Sequence, residues 1–192
     1  MIRNLYDRTI ALAHHPRALW ALAGVSFLES SVFPIPPDLL MIPMILAARD
    51  KAFLIATVAL VSSVLGGLLG YAIGAFAFDT IGQPILASLG KAHAMEEFNQ
   101  RFNDLGFWAV LTAGLTPFPY KVITIMSGWT GMPLGTFIAT SILARAGRFF
   151  LVAWLLHAFG PPIRDFIERR LGLVLTAFVI ALIGGFLLVK AL

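Results

Sequence analysis

Two prolines, one residue apart, interrupt an apolar stretch: Gly114-Leu115-Thr116-Pro117-Phe118-Pro119-Tyr120-Lys121-Val122-Ile123-Thr124-Ile125-Met126-Ser127-Gly128. Neither proline fits inside a continuous helix, because each removes a backbone donor and clashes with the preceding turn. The stretch therefore reads as two half-helices that enter a membrane, turn at Pro117–Pro119 and leave on the side they came from. Its tip holds bare backbone groups and the cation of Lys121 at depth. Lipid cannot satisfy such groups, so they have to line protein or a water-filled cavity. That cavity is the candidate site.

The membrane setting comes from composition. Of the 192 residues, 59% are hydrophobic and 12% charged, with a mean hydropathy of +0.88; ordinary soluble domains carry roughly a quarter charged residues. The expected fold class is an all-α, polytopic integral membrane protein forming a single domain. The formal charge of +4 is scattered, which excludes the basic stripe of a nucleic-acid binder and suits contact with anionic lipid. No cysteine is present, so disulfides, thiol chemistry and zinc clusters are excluded. The histidines at 14, 15, 93 and 157 lack ligand spacing and no G-x-S-x-G occurs, so neither enzyme, metal nor cofactor is expected. The first apolar core, Ala18–Leu28, comes late and runs into Glu29 without a small-residue cleavage site, unlike a cleaved signal.

Residues 1–16 have apolar groups at helical spacing and are too polar to span, so they are expected to lie on the membrane surface. Ala18–Leu28 and Leu39–Ala48 are each about half a span, separated by Glu29-Ser30-Ser31-Val32-Phe33-Pro34-Ile35-Pro36-Pro37-Asp38. This repeats the first pattern: half-helix, proline break with charge, half-helix. Two such segments in corresponding positions point to inverted repeats, here 18–78 and 107–158. Ala52–Phe78 is long enough to cross. Its Gly66, Gly70 and Gly74 share one face, where another helix can pack closely. Residues 79–106 read as a surface connecting helix, with Met95, Phe98, Phe102 and Leu105 on one face. Met132–Ala158 reads as a span, Pro161–Arg170 as a short polar loop, and 171–190 as a last span. The total is two re-entrant hairpins and about three full spans. The N-terminus, Arg49–Lys51 and Pro161–Arg170 then share a side carrying Arg3, Arg8, Arg17, Arg49, Lys51, Arg164, Arg169 and Arg170, against Lys91, Arg101 and Lys190 on the other. By the positive-inside rule the N-terminus is cytoplasmic.

Five ionisable residues remain within apolar segments: Glu29, Asp38, Lys121, Arg145 and Arg148. Each costs on the order of 2.5–3.5 kcal/mol at the bilayer centre, so each is a functional candidate facing a cavity or a partner. Arg145 and Arg148 share a helical face, and the planar arginine fork suits phosphate oxygens. Lys121 opens a returning half-helix, whose N-terminus offers free N–H groups and the positive end of a dipole. Lys121, Arg145 and Arg148 thus form a candidate site for an anionic head group, most simply a phosphate. The alternative is an internal salt-bridge set, with Glu29 and Asp38 neutralising the arginines. Asp38 also suits a cap or dipole partner. Glu29 has no such role. A buried carboxylate pulled one way by desolvation and the other by cations makes it the better candidate for proton coupling.

These residues resemble the DedA superfamily, also called the VTT or SNARE-associated Golgi protein family. Glu29 with Pro34-Ile35-Pro36-Pro37-Asp38 is similar to its first signature. Phe102 through Arg148, with Gly106, Pro117, Gly128, Met132 and Phe137, is similar to its second, and Thr116 to Val122 resembles the bacterial YqaA-like branch. The resemblance covers roughly Ala18–Leu156. It implies two inverted re-entrant hairpins and movement of lipids between leaflets: undecaprenyl phosphate recycling or phosphatidylethanolamine translocation in bacterial relatives, dependent on proton-motive force, and phospholipid scrambling in eukaryotic ones. The acidic positions carry over to Glu29 and Asp38. Many members have arginine three residues before the shared proline and another just after it; here those places are Gly114 and Tyr120, with Lys121 one step later and Arg145 and Arg148 in compensation. The expected function is a flippase or scramblase of a phosphate-bearing lipid in the bacterial inner membrane, with membrane lipids as partners and homo-oligomerisation left open. A proton- or cation-coupled carrier of a soluble solute and a non-transporting assembly factor are the alternatives.

Overall fold

The computed structural model describes residues 17–32, 36–77, 80, 92–115 and 119–169, without the side chains of 92–99, 101, 103, 161 and 163–169. Regular structure among them is helical: α1 (Ala18–Ser31), α2 (Asp38–Ala47), a 3₁₀ turn (Arg49–Lys51), α3 (Ala52–Ala77), α4 (Ala92–Leu115), α5 (Tyr120–Trp129) and α6 (Leu134–Arg169). No strand occurs among the described residues. Arg49–Ala77 and Leu134–Gly160 are the two described segments long and apolar enough to cross a membrane. Leu54, Val61, Leu65 and Leu69 on α3, and Leu143, Leu151 and Trp154 on α6, are exposed, as helices in lipid require. The surface helix expected at 1–16 and the last span at 171–190 lie outside the described residues.

Prolines set where the short helices begin. Pro37 precedes α2 and Pro119 precedes α5. Their carbonyls accept the first helical bonds, Met41 N–H to Pro37 O at 2.9 Å and Val122 N–H to Pro119 O at 3.1 Å. Proline suits these places because its missing N–H falls where no intrahelical bond is made. Pro36 accepts Leu39 N–H at 3.2 Å; Pro34 and Pro117 lie outside the described residues. Pro43 sits inside α2, which leaves the Leu39 carbonyl without its helical donor. Within α4 the backbone leaves helical geometry at Gly106 (φ 20°, ψ −92°), where the absence of a side chain permits the break. Phe102 before it is buried, while Leu105 is half exposed.

One expectation is corrected. Pro161–Arg170 reads as a loop in the sequence, yet α6 continues through Arg169 after a single non-helical residue, Phe159 (φ −117°, ψ 22°). Breaking the helix at Phe159 puts Pro161 and Pro162 in the first turn of the continuing helix, where prolines are tolerated.

The glycines of α3 explain the packing. A Cβ on Gly66 would lie 2.1 Å from the Phe27 carbonyl oxygen of α1. On Gly70 it would lie 2.2 Å from Thr124 Oγ1, and on Gly74 1.9 Å from the Ile125 carbonyl oxygen, both on α5. Gly128 of α5 returns the contact, with 1.9 Å to the Tyr71 carbonyl oxygen. α1 and α5 therefore meet α3 backbone to backbone, the approach that small residues allow in membranes. The other two short pieces take α6 instead. α2 packs along α6, and α4 lays Gly114 against Ala144, where a Cβ would come to 2.6 Å. Between α3 and α6, Ala52, Ile55, Ala56, Ala59, Phe149, Ala153 and Leu156 lie in one buried apolar cluster with Leu22 and residues of α2.

Gly74→Leu and Gly128→Leu are each expected to destabilise by more than the ~1–3 kcal/mol typical of an overpacked core, seen as a lower apparent melting temperature in detergent, because a backbone oxygen cannot yield. Gly24→Ala, with nothing within 4 Å of the added atom, is expected to preserve stability or raise it by up to about 1 kcal/mol. Fluorescence-detected size exclusion after heating reads both.

Candidate functional site

Three helix ends converge beside the middles of α3 and α6: the C-terminus of α1, the N-terminus of α2 and the N-terminus of α5. The centre is Arg145, which is 1% exposed. Its Nη2 is ion-paired with Glu29 Oε2 of α1 and donates to Ser30 Oγ at 2.9 Å. Its Nε donates to Ser63 Oγ of α3 at 2.6 Å. Ser30 and Ser63 join at 2.7 Å, and Ser30 Oγ donates to Glu29 Oε2 at 3.1 Å. The guanidinium lies over two rings, Tyr120 of α5 at 4.3 Å and Phe149 at 5.1 Å, where the π-face attracts a cation. Tyr120 is itself held, donating to Ser141 Oγ at 2.6 Å.

One helical turn along α6, Arg148 pairs with Asp38. This second pair is less enclosed, with side chains 16% and 13% exposed. Asp38 is the first residue of α2, and its helix has no side-chain cap. Its carboxylate turns to Arg148 while still lying at the positive end of the helix dipole. Lys121, in the first turn of α5, donates from Nζ to the Val32 carbonyl at 3.0 Å, a cation on the carbonyl end of α1, where a helix dipole favours one. Among the described residues no carboxylate pairs with Lys121. Beside it, Thr124 Oγ1 donates to Ser30 O at 3.0 Å and to Lys121 O at 2.9 Å, tying α5 to the last turn of α1.

All five ionisable candidates thus line one region, but not as one set. Arg145 and Arg148 each face a carboxylate, while Lys121, among the described residues, faces a carbonyl. The sequence reading missed Ser30, Ser63, Thr124 and Ser141, which supply the neutral hydrogen bonds. Ser62-Ser63 carried a signal, being two adjacent hydroxyls midway along a mostly apolar span.

The model of the VTT domain family matches residues 35–158, a stretch that holds Asp38, Lys121, Arg145 and Arg148. An uncharacterized protein of Haemophilus influenzae is 36% identical over 169 residues, covering 86% of this chain and 88% of its own. An uncharacterized protein of Histophilus somni is 37% identical over 169 residues with the same coverage. No solved structure matches.

Breaking a buried pair by removing one partner costs about 3–5 kcal/mol, while replacing both with apolar groups is often neutral. Arg145→Met alone is therefore expected to destabilise strongly, Glu29→Leu with Arg145→Met much less, and Lys121→Met hardly at all. Melting curves of the single and double variants give the coupling; additive losses for Glu29 and Arg145 would contradict the pair.

Proposed function

The chain belongs to the VTT-domain (DedA) family of membrane proteins, and from that premise we propose that it carries a phosphate-bearing lipid between the leaflets of a bacterial inner membrane. The observation that supports the reading best is the meeting of three helix ends with charges of both signs beside the middles of α3 and α6. In this reading the two proline breaks are the turns of re-entrant hairpins, and the site lies at depth between them. Undecaprenyl phosphate and phospholipids share the chemistry: an acidic phosphate that must cross oil and tails that need not leave it.

The residues divide the work. Lys121 makes the first contact, because its ammonium meets no carboxylate among the described residues and the N-terminus of α5 adds backbone donors. Arg148, in the more exposed pair, exchanges Asp38 for a phosphate oxygen. Arg145 is occupied on three sides and is held by Glu29. Release of Arg145 by Glu29 loosens the site, and Glu29 is the carboxylate this reading assigns to coupling with a proton gradient. The positive-inside imbalance puts the N-terminus in the cytoplasm.

A second reading has its own support. Glu29–Arg145 and Asp38–Arg148 pair four of the five charges, as a membrane assembly factor without transport would need. Lys121, which meets no carboxylate among the described residues, favours the transporter.

The test is head-group-selective translocation in proteoliposomes, with and without a pH gradient. The unaltered protein is expected to move a phosphate-bearing lipid. Lys121→Met with Arg148→Gln is expected to slow it at least about tenfold, or ~1.4 kcal/mol of barrier, while remaining folded. Unaltered movement by that double variant would remove the head-group site, and no movement by the unaltered protein would leave the assembly factor.

A further inference from the structure

The packing exchanges partners between the two broken segments. α1 and α2 adjoin in sequence yet barely touch: α1 lies on α3, and α2 lies on α6. The second segment does the reverse. The end of α4 lies on α6 through Gly114 at Ala144 and Leu115 at Gly147, and α5 lies on α3 through Gly70, Gly74 and Gly128. Each long helix therefore gathers half of each broken segment. We propose that the protein moves as two bodies, α1–α3–α5 and α2–α4–α6.

The bonds sort accordingly. Inside the first body, the contacts are backbone on backbone, and Lys121 to Val32 O and Thr124 to Ser30 O add to them. A seam in which no Cβ would fit has nowhere to slide. Inside the second body, Asp38–Arg148 fastens the start of α2 to α6. Between the bodies the seam is of another kind. It is made of side chains: the cluster in which α3 meets α6 and α2, a second cluster in which Phe102, Val110 and Phe137 meet Tyr120, Ile123 and Tyr71, the Arg145 bonds to Glu29, Ser30 and Ser63, and the Tyr120–Ser141 bond. Side chains can change rotamer as helices tilt where backbone in contact cannot yield, and polar bonds can break and remake. One end of the seam is held. Arg49 Nη2 donates to His157 O, and the His157 ring Nδ1 lies 2.8 Å from Arg49 O, linking the turn before α3 to α6 in both directions. Gly160 leaves room there, since a Cβ on it would lie 2.9 Å from Arg49 Nε. The Arg49–His157 link is the pivot, and Glu29–Arg145 is the latch that opens when the bodies tilt apart.

The two ion pairs thus have different duties: Glu29–Arg145 spans the bodies, while Asp38–Arg148 lies within one. The proposal takes its purpose from the lipid-transport reading, but the partition itself rests on the packing alone.

The chain has no cysteine, so spin labels can be placed on introduced cysteines at exposed positions without removing any native thiol. Leu28, Leu69 and Val122 report the first body, and Leu39 and Leu143 the second. Pulsed electron paramagnetic resonance distances are measured in phosphatidylcholine vesicles, with and without phosphatidic acid, and again with Glu29→Gln. The Leu28–Leu69, Leu69–Val122 and Leu39–Leu143 distances are expected to stay fixed, which also shows that the variant is folded. The Leu28–Leu39 and Leu69–Leu143 distances are expected to shift with the lipid or with Glu29→Gln. A fixed Leu28–Leu39 distance with a shifting Leu28–Leu69 distance would overturn the proposal, because each broken segment would then move as a unit. So would a complete absence of shifts in vesicles that translocate lipid. Shifts between the bodies in vesicles that translocate nothing would uphold the partition and remove the transport reading.

Discussion

A guanidinium buried among apolar helices has no solvent to pair with, and every other part of the site is arranged around supplying what water would have supplied. Arg145 takes a carboxylate from α1, hydroxyls from α1 and α3, and ring faces from α5 and from α6 itself. These partners arrive from several helices, so the relative placement of those helices is bound to the charge. In a low-dielectric setting a pair with all its hydrogen bonds made is tolerable, whereas one lacking a partner is costly. The hydroxyls of Ser30 and Ser63 matter for this reason, although neither bears charge.

Close helix approach makes that supply reachable. Serine is short, and Ser63 meets Ser30 only because α1 lies against the glycine face of α3. The same face brings Thr124 to the Ser30 carbonyl and so settles where α5 begins. The start of α5 places Lys121 at the carbonyl end of α1. Glycine packing, hydroxyl network and the seat of Lys121 on the Val32 carbonyl are successive consequences of one short interhelical distance.

The membrane class, the helix starts after Pro37 and Pro119, and the shared face of Gly66, Gly70 and Gly74 are all legible in the chain. Proline geometry and helical period act within a few residues, so a string of residues expresses them directly. The same local reasoning fails at Pro161-Pro162, where two prolines suggest a loop. A break shortly before them, at Phe159, makes those prolines helix starters, and nothing in their own neighbourhood announces it. The run of five ionisable residues in apolar segments is equally plain, and so is the choice it poses between a ligand site and internal pairing.

What the amino-acid order determined by itself was which groups had to be satisfied away from water: broken backbone at two proline clusters and charges inside apolar runs. What only the tertiary structure decided was who satisfies whom. Glu29 and Arg145 are 116 residues apart and Asp38 and Arg148 are 110 apart, and spacing alone is as consistent with the opposite pairing. The glycine face chooses between them. By admitting α1 and α5 to α3 and leaving α2 to α6, it puts Glu29 beside Arg145 and leaves Lys121 facing a carbonyl, an outcome of backbone distance that no local period encodes.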